Sequence, residues 1–107
     1  MDVKTIDNIR PSLDPEKIAK IAEVLKTIAH PVRLSIIEVL DERDTMTVSE
    51  LQEHLGIEQS LLSHHLTKMK DRSILIGKRE GKNIFYTLAD NTLTKVFDCM
   101  GNCDLIK

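Results

Sequence analysis

The sequence has no tryptophan, one tyrosine and two phenylalanines, so its core must be built from aliphatic side chains. No apolar run approaches the roughly 20 residues of a membrane-spanning helix, so no membrane partner is expected. The opening segment MDVKTIDNIR lacks the basic-then-apolar layout of a secretory signal. The chain has only two cysteines, Cys99 and Cys103, too few for a disulfide framework. These absences point to a cytoplasmic protein. A glycine-rich phosphate loop is also missing. The four histidines, His30, His54, His64 and His65, do not make a catalytic set. His64 and His65 diverge by about 100° on a helix, and Ser63 has no third group to orient a pair with His64. Enzymatic activity is not expected.

What the sequence does have is charge placed unevenly. A chain of 107 residues is one domain with one modest core. Its net charge is −2, which does not advertise a nucleic-acid partner. Between Gln59 and Lys82, however, stand six cations, Lys68, Lys70, Arg72, Lys78, Arg79 and Lys82, against Asp71 and Glu80. That local excess of four positive charges leaves −6 on the rest of the chain. A basic surface on an acidic body is the footprint of phosphate contact, although a solvated face would carry the same charges.

Residues 1–13 have no clear period and contain Pro11, so they read as a flexible arm or a short lead-in helix. Asp14 and Pro15 then start a helix as N-cap and first helical residue. Ile18, Ile21, Leu25 and Ile28 form its apolar stripe, and it should end near His30. Pro31 opens a second helix, apolar on most of its circumference through Val32, Leu34, Ile36, Ile37, Val39 and Leu40; it is the expected centre of the core. Asp41 to Thr45 reads as a polar loop. Thr47 and Glu50 then make a capping box for a third helix that ends at Gly56. A fourth helix follows within a few residues. Two short helices across a tight glycine-containing turn are the helix-turn-helix pattern.

In that fourth helix, Leu62, His65, Leu66 and Met69 fall on the inner face, at i, i+3, i+4 and i+7. Ser60, Ser63, His64, Thr67 and Lys68 then face out, a set able to hydrogen-bond base edges and phosphates. A hairpin follows, Leu75–Arg79 and Lys82–Leu88, joined at Glu80-Gly81, with Arg79 and Lys82 flanking its tip. A last helix begins near Asp90 or Asn91, with Leu93, Val96, Phe97 and Met100 in one stripe. The first and last helices carry more apolar face than one small domain uses. Ile18, Ile21, Leu25, Leu93, Val96, Phe97 and Met100 are therefore the candidate surface of a homodimer. The domain spans 14–100, with dimerisation helices 14–30 and 91–100, and residues 101–107 form a tail.

Four segments together carry a resemblance: IAHPVRLSIIEVL (28–40), TVSELQEHLGI (47–57), QSLLSHHLTKMK (59–70) and REGKNIFYTL (79–88). In this order, from about Ile18 to Leu88 and on towards Phe97, the chain resembles the ArsR/SmtB family of bacterial winged helix-turn-helix repressors. The resemblance implies a mainly α fold with one small β-hairpin between the fourth and fifth helices, and a homodimer through the first and fifth. It implies a palindromic double-stranded DNA operator, with the fourth helix in the major groove. The family's Q-S-x-x-S-H face falls on Gln59, Ser60, Ser63 and His64. With Thr67, Lys68, Arg79 and Lys82 these are the candidate DNA contacts. His65 lies inward and reads as a core or hinge residue.

The chain departs from the family where metals bind. The family's E-L-C-x-C-D-L motif is replaced by Glu50-Leu51-Gln52-Glu53-His54-Leu55, without the thiolates that soft metals prefer. The last-helix zinc motif lacks its histidine at Asp98-Cys99-Met100. No metal or other cofactor is therefore assigned. Cys99 and Cys103 stand at i and i+4 and are candidate sensor residues, since some family members respond to arsenite or thiol oxidation through cysteines near this end. The plain alternative is two small hydrophobes beside a helix, and two thiolates alone do not complete a zinc site. Two other readings remain at this point: a DNA binder with no inducer site, and a winged-helix module that binds protein.

Overall fold

The computed structural model describes residues 13–106. The proposed flexible arm, apart from Leu13, lies outside them. The order of elements is α1 (Pro15–Ile28), α2 (Pro31–Arg43), β1 (Met46–Thr47), α3 (Val48–Leu55), α4 (Gln59–Asp71), β2 (Leu75–Glu80), β3 (Asn83–Leu88) and α5 (Thr92–Gly101). Five helices and a small antiparallel sheet match the expected architecture.

Local chemistry explains most boundaries. Asp14 caps α1 by accepting the amide of Lys17 at 2.8 Å. The helix ends at Ile28, two residues before the expected limit, because Pro31 already commits the chain to α2 and His30 is extended as its N-cap. His30 Nδ1 accepts the Val32 amide at 3.1 Å, so a histidine does the work usually done by Ser, Thr, Asp or Asn. The expected loop at Asp41–Thr45 is corrected: α2 continues through Asp41, Glu42 and Arg43. Polar side chains do not break a helix, and no Gly or Pro intervenes. Asp44, at φ 68°, closes the helix by donating its amide to the Leu40 carbonyl at 2.8 Å.

The capping box of α3 is complete. Thr47 Oγ1 accepts from the Glu50 amide at 3.2 Å, and the Thr47 amide donates to Glu50 Oε1 at 3.0 Å. Gly56 follows α3 in the left-handed region at φ 67°. Thr47 also belongs to β1, a two-residue strand that the sequence does not reveal. β1 pairs antiparallel with β3 (Met46 with Tyr86, Thr47 with Phe85), making a three-stranded sheet in the order β1-β3-β2. The wing is thereby tied to the front of the helix-turn-helix.

The core is aliphatic. Ile36, Ile37 and Leu40 of α2, Leu51 of α3, Leu62, Leu66 and Met69 of α4, and Leu75 of β2 are essentially fully buried. Tyr86 is the one aromatic residue in this set, facing Gly77 across the ladder. A Cβ at Gly77 would stand 3.2 Å from the Tyr86 ring, so glycine gives the ring its seat. Leu34 is a second correction: it sits on the exposed side of α2, turned towards a groove between α1 and α5.

α5 begins at Thr92, where the sequence places it. Asn91 occupies the cap position without a side-chain bond, while Asp90 accepts from the Thr92 amide and hydroxyl at 2.8 and 2.6 Å. These bonds hold the Asp90 carboxyl below its ordinary range. Thr94 is buried and donates its hydroxyl to the Asn91 carbonyl, with Asp41 Oδ1 a second acceptor at 3.2 Å, which anchors α5 on the extended end of α2.

Replacing Thr47 by Ala removes one half of the capping box beneath β1. Urea unfolding should show a loss of about 1 kcal/mol with an unchanged denaturant slope. The neighbouring exposed Ser49→Ala should stay within roughly 0.5 kcal/mol of the parent.

Candidate nucleic-acid interface

α4 presents two chemically different faces. Leu62, His65, Leu66 and Met69 are all buried, as the spacing predicted. On the opposite side Ser60, His64 and Thr67 form the centre of an exposed stripe. Helical geometry puts Gln59, Ser63 and Lys70 along the edge nearer β2, and Lys68 with Arg72 along the edge nearer α1. The observed contacts agree. Lys70 lies against Gly77 of β2, and Arg72 pairs with Glu23 of α1 at 3.3 Å. Ser63 is half-buried; Gln59, Ser60, His64, Thr67 and Lys68 are exposed.

Two residues on this face were not singled out by sequence reasoning. Glu58 stands at the N-cap of α4 without capping it, and the Ser60 hydroxyl donates to its carboxylate. Leu61 is 46% exposed, an apolar side chain on an otherwise polar surface. Its position between the inner stripe and Lys68 could have been read from the same helical wheel. Because α4 has no side-chain cap and no acid in its first turn, its leading amides and the positive end of its dipole face outward.

The end of α4 sets the direction of the wing. The Ile74 amide donates to the Met69 carbonyl at 2.9 Å, and the Ser73 amide to the Lys70 carbonyl at 2.9 Å. Ser73 has φ 62°. This is a Schellman closure with Ser where Gly is usual, and it buries Ile74 next to Met69. In the hairpin, Glu80 pairs with Asn83, so Gly81 and Lys82 make a two-residue loop with Gly81 at φ 63°. Lys82 is therefore at the tip itself. Arg79 lies opposite Ile84, on the sheet face that carries Tyr86 and packs towards α4. Lys78 is on the other face, paired with Glu80 at 3.7 Å. The eight candidate contacts thus fall into two groups, six on α4 and two on the wing, joined by one rigid turn.

Behind α4 lies a cluster built around His65, which is 4% exposed. Arg33 of α2 donates Nε–H to His65 Nδ1 at 3.0 Å and Nη1–H to the Thr27 carbonyl at 2.6 Å. The ring of His30 stands 4.5 Å from that of His65, and the ring of His64 5.8 Å from it. Burial, followed by the charges of His30, Arg33 and His64, lowers the His65 pKa. An Nδ1 that accepts leaves the proton of the neutral ring on Nε2, which has no hydrogen-bond partner among the described residues.

The candidate dimer residues divide. Ile18, Ile21 and Leu25 of α1 and Val96 and Met100 of α5 are exposed, whereas Leu93 and Phe97 are half-buried against the chain's own core. An apolar groove of about 410 Å³ opens between these helices, lined by Leu25, Ile28, Leu34, Phe97, Met100 and Ile106 among others. Cys99 is exposed and Cys103 partly so, and neither forms a disulfide. Among the described residues no helix is long and apolar enough to cross a membrane.

A family model described as a helix-turn-helix domain matches residues 28–76. The chain is 35% identical over 91 residues to the HTH-type transcriptional regulator NmtR of Mycobacterium tuberculosis, covering 83% of this chain and 75% of that protein. The transcriptional repressor PagR of Bacillus anthracis superposes with a TM-score of 0.72 at 30% identity, over 81% of this chain and 99% of PagR. The transcriptional repressor BigR of Xylella fastidiosa superposes with a TM-score of 0.75 at 28% identity, over 96% of this chain and 98% of BigR. With the two-faced α4, its capped partner α3 and the wing in place, these similarities establish that the chain belongs to the ArsR/SmtB family of winged helix-turn-helix, DNA-binding transcriptional regulators.

Proposed function

We propose that this protein is a cytoplasmic homodimeric repressor that binds a palindromic operator and is released by an inducer. The observation that carries the reading is α4. Its inner stripe is locked in the core, while Ser60, His64 and Thr67 stand exposed beside a hairpin with a lysine at its tip. In this reading α4 lies in the major groove. Gln59, Ser60, Ser63 and His64 meet base edges, with Leu61 placed to touch a thymine methyl group. Thr67, Lys68, Arg79 and Lys82 meet the backbone, and the uncapped N-terminus of α4 favours a phosphate. Glu58 opposes that attraction, which gives its pairing with Ser60 a purpose: the carboxylate is held by a hydroxyl rather than turned to the DNA.

Dimerisation is supported by exposed apolar side chains on two neighbouring helices. Ile18, Ile21, Leu25, Val96 and Met100 are more apolar surface than a monomer of this size usually leaves in one place. A two-fold dimer through α1 and α5 presents two copies of α4, which is what a palindromic site requires.

The inducer site in this reading is the Cys99/Cys103 pair. α5 continues through Gly101, and the Cys103 amide still donates to the Met100 carbonyl at 3.1 Å. The chain thus keeps turning past the end of α5, with Cys103 four residues beyond Cys99. A thiol oxidant, or a soft ion such as arsenite, would join the two sulfurs next to Met100 and thereby disturb the dimer helix.

Ser63→Ala and His64→Ala should each weaken binding to a selected operator about tenfold, at about 1–3 kcal/mol per lost base contact, while sedimentation still shows a dimer. Unchanged affinity in both would remove α4 from base reading. Lys82→Ala should weaken binding to all duplexes alike and lower the slope of log affinity against log salt by about one. Treatment with peroxide or arsenite should release DNA from the parent protein and leave Cys103→Ser bound. Identical release from both proteins would return the cysteines to a packing role.

A further inference from the structure

We infer that Arg33 and His65 are positioning residues that hold the recognition helix against the dimerisation helix, and that they do so only while the His65 ring is neutral. The inference rests on the reading of α4 as the DNA-reading helix. Three elements meet at this pair. Arg33 is on α2, His65 is on α4, and the Thr27 carbonyl is in the last turn of α1. The guanidinium joins all three through two hydrogen bonds, 3.0 Å to His65 Nδ1 and 2.6 Å to the Thr27 oxygen. A carbonyl in the last turn of a helix has no intrahelical partner and carries the negative end of the dipole, so a cation is well placed there. Thr27 Oγ1 donates to the Glu23 carbonyl, which keeps that last turn closed.

The bond to His65 has a strict requirement. Nδ1 accepts only when it carries no proton, and Arg33 cannot supply an acceptor in return. Protonating His65 therefore converts a hydrogen bond into two facing cations. Among the described residues no carboxylate acts on His65. The groups that act on His65 are His30 from the α1–α2 connection, Arg33 from α2 and His64 from its own helix, each a cation or able to become one. Further out, Glu23, Lys26, Lys68, Asp71 and Arg72 line the cleft beside Arg33. Of its two carboxylates, Glu23 is already paired with Arg72. β2, the strand packed on α4, faces it with Leu75, Gly77 and Arg79, which adds no anion.

The sign follows. The His65 pKa is lowered in the folded protein, first by burial, so the held arrangement binds fewer protons than one in which the ring is free. Its contribution is complete above the ordinary imidazole value of about 6.5 and is lost as pH falls through and below it. Each unit between the two pKa values is a tenfold change in the held-to-released ratio.

The probe is the duplex that the parent protein selects from a randomised pool at pH 7.5. Binding is measured from pH 7.5 to 5.5 at fixed ionic strength. The parent should lose about fivefold to tenfold in specific affinity over that range. His30→Asn, which keeps an acceptor for the α2 cap, should lose as much. His65→Asn, which keeps an acceptor near the position of Nδ1 but does not titrate, should vary less than about threefold. An acid loss in His65→Asn equal to that of the parent overturns the inference, as does a parent that shows no loss. Should His65→Asn melt too low to assay, Arg33→Met keeps every imidazole. It should bind at pH 7.5 about as weakly as the parent binds at pH 5.5, and parent-like affinity with a parent-like pH profile overturns the inference. Imidazole 15N shifts of the DNA-free protein at pH 7.5 should show His65 Nδ1 unprotonated. A protonated Nδ1 overturns the inference independently of DNA, whereas failure of the α4 reading shows itself separately, as indifference to Ser63→Ala and His64→Ala.

Discussion

Everything outward-facing in this protein depends on the burial of one helical stripe. Leu62, Leu66 and Met69 are each fully enclosed, and each is worth about 1.5–3 kcal/mol of hydrophobic stabilisation. Their partners are the aliphatic side chains of α2 and Leu51 of α3. With no tryptophan and almost no other aromatic residue, the core gains little from large planar groups and depends on close aliphatic packing. That packing sets the rotation of α4 about its own axis. A helix free to rotate by one residue, about 100°, would bring Leu61 and the buried His65 to where Ser60 and His64 stand. Orientation of the polar face is thus a packing property before it is a DNA-binding property.

The second constraint is where the wing points, and it is set by backbone more than by side chains. Ser73 accepts a left-handed conformation, normally a cost of about 1–2 kcal/mol for a residue with a Cβ. What offsets it is the Schellman pair of hydrogen bonds and the burial of Ile74. β1 then holds β3 from the opposite edge, through a residue that also caps α3. Thr47 thereby connects the start of the helix-turn-helix to the sheet, and the Ser73 turn connects its end. Lys82 and Arg79 stand at a defined distance from α4 because both connections are short.

How far the sequence reveals this differs by the kind of signal. Capping residues, the Gly56 turn and the four inner positions of α4 were legible because each is a local pattern with a local physical cause. The family resemblance was legible because four such patterns occur in one order. β1 was not, since two residues cannot show a period and the strand exists only by pairing with β3. The length of α2 was misread because a polar run was equated with a loop. Leu93 and Phe97 show the limit of a stripe read alone: spacing places them on one face of α5 but does not say whether that face meets its own core or another chain. The role of His30 as a cap was also hidden, because histidine is a rare choice there, and the Arg33–His65 bond joins residues 32 positions apart.

That bond bears on how a signal at one end of the molecule would reach the other. The apolar groove lies along α1, α2 and α5, with Cys99 on α5 and Cys103 just beyond it. A change in α1 or α5 must pass through contacts that have two distinct arrangements, since a close-packed core does not bend by degrees. Packed leucines, with their discrete rotamers, supply some of those contacts. A guanidinium that bonds both the end of α1 and a buried imidazole on α4 supplies another, because the hydrogen bond is either made or absent. Burial sharpens the distinction: His65 is only 4% exposed, so losing the Arg33 bond leaves a buried acceptor to be satisfied. The same feature that makes the cluster sensitive to protons makes it sensitive to a displacement of α1. A rotation of α1 that draws the Thr27 carbonyl away would pull Arg33 from the ring behind the exposed face of α4.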